Sequence, residues 1–101
     1  MTTYIVLLNY TQQGMQKIKE SPARLDAAKK AFKAMGAELK EWYLVRGQYD
    51  AIVIAEAPND KIAAKLALSI GAKGDIRTET LRAFTEDEYR EIIAGVKVEI
   101  L

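Results

Sequence analysis

Tyr49 and Asp50 stand side by side just after Arg46-Gly47-Gln48. A carboxylate beside a phenol can serve as general base and hydroxyl donor, and a guanidinium such as Arg77 can stabilise an oxyanion as it forms. This is the equipment of cofactor-independent oxygenases and isomerases. The same residues also have a purely structural reading, in which Asp50 neutralises Arg46 or Arg77 and Gly47 supplies a positive φ to a hairpin. Arg77 and Glu79 share one face of a strand, as a solvated pair or as an anion clamp. The 101 residues contain no His and no Cys, which excludes imidazole bases, thiol nucleophiles, disulfides and ordinary structural zinc. No metal or cofactor is expected.

These side chains have to be positioned by elements that the hydropathy pattern predicts. Residues 3–9 are apolar on both alternations, Ile5 and Leu7 against Val6 and Leu8, which suits a central strand. Met15, Ile18, Leu25, Ala28, Phe32 and Met35 recur at helical spacing with lysines opposite, and Ser21-Pro22 restarts this helix after a short turn begun at Thr11. Gly36 closes it. Glu38–Arg46 and Tyr49–Glu56 form a hairpin about Gly47-Gln48; read as a two-residue turn, it pairs Arg46 with Tyr49 and puts Asp50 on the face of Glu41, Tyr43 and Val45. Trp42 and Tyr43 then point to opposite faces.

A second helix begins at Pro58-Asn59-Asp60. Only Lys61, Lys65 and Ser69 make a polar stripe on it, so it is expected to be largely buried. Asp75–Phe84 alternates as a fourth strand. Thr85 and Glu88 make a capping box for a short third helix carrying Tyr89, Ile92 and Ile93, and Val96, Val98 and Ile100 read as a strand-like tail.

The order βαββαβ with right-handed crossovers predicts one α+β domain over residues 1–101, a ferredoxin-like antiparallel sheet of spatial order 4-1-3-2 with both main helices on one face. Strands 4–8 and 51–55 are apolar on both faces, so something must cover the second face. The available cover is another copy of the chain, which predicts a homodimer or higher homo-oligomer. The topology gathers Asn9, Tyr10, Arg46, Tyr49, Asp50, Asp75 and Arg77 at one rim. There a small-molecule ligand would contact Asn9, Tyr43, Arg46, Gly47 and Arg77, with Tyr49 and Asp50 as the candidate catalytic pair.

Charge and pattern narrow the partners. Lys+Arg 15 against Asp+Glu 14 gives no strong field for nucleic acid or an anionic membrane. The lysine face of the first helix lacks interleaved aromatics and reads as solvated. The RNA-recognition motif shares this strand order, but here a carboxylate falls where a stacking ring is needed. Tyr4–Leu8 is too short for a signal core or a membrane span, so the chain is expected in the cytoplasm, and the acceptor-like Asn9-Tyr10-Thr11 carries no meaning there.

Gly47-Gln48-Tyr49-Asp50, followed by Gly71-Ala72-Lys73-Gly74-Asp75-Ile76-Arg77-Thr78-Glu79-Thr80-Leu81-Arg82-Ala83-Phe84, resembles the GYD-domain family over roughly residues 3 to 93. That family is similar to the dimeric α/β-barrel superfamily, and its biochemical role is unassigned. The resemblance implies a dimer and marks Gly47, Tyr49, Asp50, Gly74, Arg77, Thr78 and Thr80. Asp75 departs from it, standing where Asn is the commoner residue. Three functions are open at this point. The first is a small oligomeric barrel that binds a small molecule at the sheet rim. The others are an oxygenase or isomerase that needs no cofactor, and a structural or partner-binding assembly subunit.

Overall fold

The computed structural model describes residues 1–100, without the side chain of Ile100. Four strands, β1 (Thr2–Tyr10), β2 (Glu38–Leu44), β3 (Ala51–Ala57) and β4 (Ile76–Ala83), form one antiparallel sheet in the order β2-β3-β1-β4. This is the expected ferredoxin-like arrangement. The helices are α1 (Gln12–Gln16), α2 (Ser21–Ala34), α3 (Asp60–Gly71) and α4 (Glu86–Ala94). None of them is long and apolar enough to cross a membrane, among the described residues.

Local chemistry explains the boundaries. The Thr11 hydroxyl accepts from Gly14 N–H and starts α1, and the Asn59 side chain does the same for α3 from Ile62 N–H. Gly36 takes φ +75° after α2, where the N–H of Gly36 bonds Lys33 C=O and that of Ala37 bonds Phe32 C=O. Pro22 lies in the first turn of α2, where its missing N–H costs nothing, although the helix starts at Ser21 and not after it. The register of the hairpin is the expected one from Glu41 to Leu44, and an irregularity between Leu39 and Glu41 shifts it by one residue beyond. Val45 N–H donates to Asp50 C=O at 2.9 Å, but Arg46–Tyr49 lie outside the ladder, so the connection is wider than a two-residue turn.

One sheet face carries the core. Tyr4 and Leu8 of β1 and the row Ala51, Val53, Ala55 and Ala57 of β3 are buried against Phe32 of α2 and Leu66 of α3. Burying a side chain such as Phe32 or Leu66 contributes about 1.5–3 kcal/mol. The small β3 residues let the helices approach. Trp42 packs on this core while Tyr43 is on the opposite side, 52 % exposed.

Three expectations are corrected. Met15 and Ile18 are exposed, because the helix breaks at Lys17 into α1 and a 3₁₀ turn and so loses the phase that would turn them inward. α3 is half-buried rather than largely buried: only Leu66 is fully inside, while Leu68 is 74 % exposed, because nothing among the described residues lies over its outer side. The tail is no strand. Val98–Ile100 form a 3₁₀ turn, since a strand needs an edge to pair with and the alternation of Val96 and Val98 meets none.

Candidate functional site

The face opposite the helices is set by the register. Ile5 pairs with Ile54 and Leu81, Leu7 with Ile52 and Glu79, and Tyr43 with Ile52, so Ile5, Leu7, Ile52 and Ile54 form an apolar centre flanked by Leu81 and Tyr43. A sheet face left to water would alternate to polar residues here. Glu41, Glu79 and Arg77 border the patch, with Asn9 directly opposite Arg77.

The sequence-predicted residues divide between this face and its upper rim. Asn9 and Arg77 come together as cross-strand neighbours. Tyr49 reaches from the β3 end to β4, its hydroxyl donating to Glu79 Oε2 at 2.8 Å, so its side chain passes across the end of β1. Tyr43 donates to Glu41 Oε2 at 3.0 Å on β2 itself. In both cases the hydrogen bond to the carboxylate pushes the phenol above its ordinary pKa, so each keeps its proton.

Asp50 sits where β1 and β3 part. Its N–H donates to Leu8 C=O, and its Oδ2 accepts from Tyr10 N–H at 2.9 Å, standing in for a ladder carbonyl. It pairs with neither Arg46 nor Arg77. Arg46 and Gly47 lie exposed in the turn, where Gly47 has φ +142°. The rim therefore unites Asn9 with Arg77 and Asp50 with the end of β1, and leaves Arg46 and Gly47 apart.

A polar cluster on the helix side was not singled out from sequence. Asp75, only 8 % exposed, accepts from Gln13 Nε2 at 2.9 Å and lies 3.5 Å from Arg24 Nε and 3.8 Å from Lys17 Nζ. The Gln13 hydrogen bond and these cations hold its carboxyl below the ordinary range. Gln13 also donates to Lys73 C=O, and Thr11 to Gly74 C=O, so the loop before β4 is bound to α1 by side chains. The departure to Asp at this position was the available signal, because a carboxylate next to a glycine-rich turn calls for cationic partners. Arg24 and Asp75 of the cluster themselves line a cavity of about 100 Å³, together with apolar residues such as Leu8, Leu25, Trp42 and Val53. Typical small-molecule pockets enclose about 300–1,000 Å³, so this one holds a few waters or a very small group.

Three comparisons bear on this arrangement. The family model of the GYD domain matches residues 4–93. A curated protein of Thermus thermophilus, the glutamine synthetase and cystathionine beta-lyase binding protein, is 29 % identical over 98 residues, covering 96 % of this chain and all of the relative. The crystal structure of TTHA0845 from Thermus thermophilus superimposes with a TM-score of 0.54 at 24 % identity, over 84 % of this chain and 95 % of that one, a likeness of fold.

Proposed function

The chain belongs to the GYD-domain family, and on that footing we propose that it is a partner-binding protein that works as a homodimer and docks on metabolic enzymes. The observation that carries this reading is the full-length similarity to a protein named for binding glutamine synthetase and cystathionine beta-lyase. Physical chemistry supports it in two ways. The cavity at the Asp75 cluster is several-fold too small for an ordinary metabolite, whereas the open sheet face offers a broad apolar surface. We assign that face to the dimer, two sheets packing through Ile5, Leu7, Ile52 and Ile54. A cytoplasmic location and a single domain belong to the same proposal.

The test is direct. The purified protein is immobilised and exposed to glutamine synthetase and to cystathionine beta-lyase from the same organism. Saturable binding to either supports the proposal; no binding to either at 100-fold the concentration typical of specific complexes, about 1 μM, refutes it. The dimer has its own test. Ile54→Lys places an ammonium in the centre of the patch and is expected to give a folded monomer by light scattering, and an unchanged oligomer would remove the sheet face from the interface.

A second reading rests on the adjacency of Asn9 and Arg77 beside Asp50, a donor pair that suits a small anion or hydroxylated ligand at the rim. Asp50→Asn separates binding from catalysis: a binder keeps its ligand, and an enzyme using Asp50 as base loses turnover.

A further inference from the structure

α4 is amphipathic and uncovered. Tyr89, Ile92 and Ile93, at i, i+3 and i+4 on one face, are 56, 46 and 52 % exposed. The radius of gyration of 15.9 Å exceeds the roughly 13 Å of a compact chain of this length, which is the signature of an element standing off the body. The helix is strongly acidic, with Glu86, Asp87, Glu88 and Glu91 against Arg90 alone.

On the body, an open groove of about 500 Å³ runs between α3 and the edge strand β4, lined by Ala63, Ala64, Ala67 and Leu68 on one side and Thr80 and Arg82 on the other. Lys61 and Lys65 are exposed on α3, each three residues before a lining residue, Ala64 and Leu68, and so next to them on the helix surface. Asp60, the one carboxylate in the lining, accepts from the Tyr4 hydroxyl. Arg82 balances Asp60 within the lining, and the flanking Lys61 and Lys65 give the rim a positive excess over an apolar floor, complementary in both respects to α4.

The chain's own α4 does not fill the groove. The connection from β4 is only Phe84-Thr85, fixed by the Thr85–Glu88 capping box and by Arg82 lying 4.2 Å over the Phe84 ring. A second copy has no such tether. We propose that the α3/β4 groove receives α4 of another copy of this chain, Tyr89, Ile92 and Ile93 entering between Leu68 and Thr80 while the acidic flanks face Lys61, Lys65 and Arg82. Groove and sheet face lie on opposite sides of the sheet, so this contact adds to the sheet-face dimer and builds a larger assembly.

The absence of cysteine makes the test clean. A chain with Leu68→Cys and a mass-tagged chain with Ile93→Cys, both at exposed positions, are mixed under mild oxidation. The mixed disulfide is expected to exceed either self-linked dimer by at least fivefold, and to fall severalfold in 0.5 M salt or when Lys61→Glu and Lys65→Glu are introduced. It is expected to persist in chains that also carry Ile54→Lys, which separates this contact from the sheet face. Mixed and self-linked dimers in equal yield would overturn the proposal. So would a doubly substituted chain that closes on itself while the mixture gives no cross-link, because the groove would then belong to the chain's own helix.

Discussion

A methyl group on Gly14 would sit 2.0 Å from the carbonyl oxygen of Asp75, in contact with backbone that cannot swing aside. To accept Gly14→Ala, α1 would have to retreat from the start of β4 by more than an ångström. Three bonds to backbone carbonyls span that gap: Thr11 N–H to Asp75 C=O at 3.0 Å, Thr11 Oγ1 to Gly74 C=O at 2.6 Å and Gln13 Nε2 to Lys73 C=O at 3.0 Å. At a net of about 1 kcal/mol each, their loss destabilises the protein by about 3 kcal/mol. For a domain of this size that lowers Tm by about 12–24 °C. Gly71→Ala is the control: nothing lies within 4 Å of its Cβ position and its φ is not positive. It should gain about 0.4–1 kcal/mol through the reduced entropy of the unfolded chain. The assay is thermal unfolding followed by circular dichroism, at equal protein concentration because self-association raises Tm. A Gly14→Ala protein melting within about 4 °C of the parent would refute the argument that α1 and the β4 entrance are locked by backbone contact.

Other outcomes follow from the same contacts. Because the Asp75 carboxyl is held below its ordinary pKa, the unfolded state binds the proton first as pH falls. Its stabilisation is present above the unfolded value near 4 and is lost as pH drops through the folded value, so the stability difference between the parent and Asp75→Asn should shrink in acid, measured by urea unfolding at pH 7 and pH 3. A difference independent of pH would show that the carboxylate charge is not what matters. Thr85→Ala removes half of the capping box of α4 at a cost of about 1 kcal/mol. Since α4 packs on little else, the effect should be local: amide exchange in residues 86–94 speeds up about fivefold while Tm barely moves, and a global loss of stability would mean that α4 is docked.

The strand and helix order was legible because the hydropathy period switches cleanly between 2 and 3.6, as at Gly36 and Pro58. The open apolar face was legible too: Ile5, Leu7, Ile52 and Ile54 are redundant for a core that Tyr4, Leu8 and Val53 already fill. The tail misled because alternation around Val98 describes a strand only when an edge is there to receive it. Met15 and Ile18 misled because α1 ends at Lys17 and a 3₁₀ turn over Ile18–Glu20 precedes α2, so neither residue keeps the phase of α2. The Asp75 cluster was hidden for another reason. Gln13, Lys17 and Arg24 meet it across some sixty residues of chain, and no local pattern records a contact made by closing the sheet. At the rim, types were readable but partners were not: nothing near Asp50 in sequence points to the Tyr10 amide.

β1 is synthesised first and ends up enclosed by two strands made much later. Val6 lies between Val53 and Thr80, so no nascent chain shorter than β4 can close the sheet. Until then β1 waits away from the growing end as a two-faced apolar segment with an unpaired edge, the kind of element that aggregates when synthesis stalls. Zipping it with β3 gives a hairpin-like trio that is still open, and the last step, insertion of β4 alongside β1, must bear the loop-closure entropy of the whole α3 crossover. A chain truncated before Ile76 should therefore be recovered as aggregate, and a chain truncated after Ala83 should not.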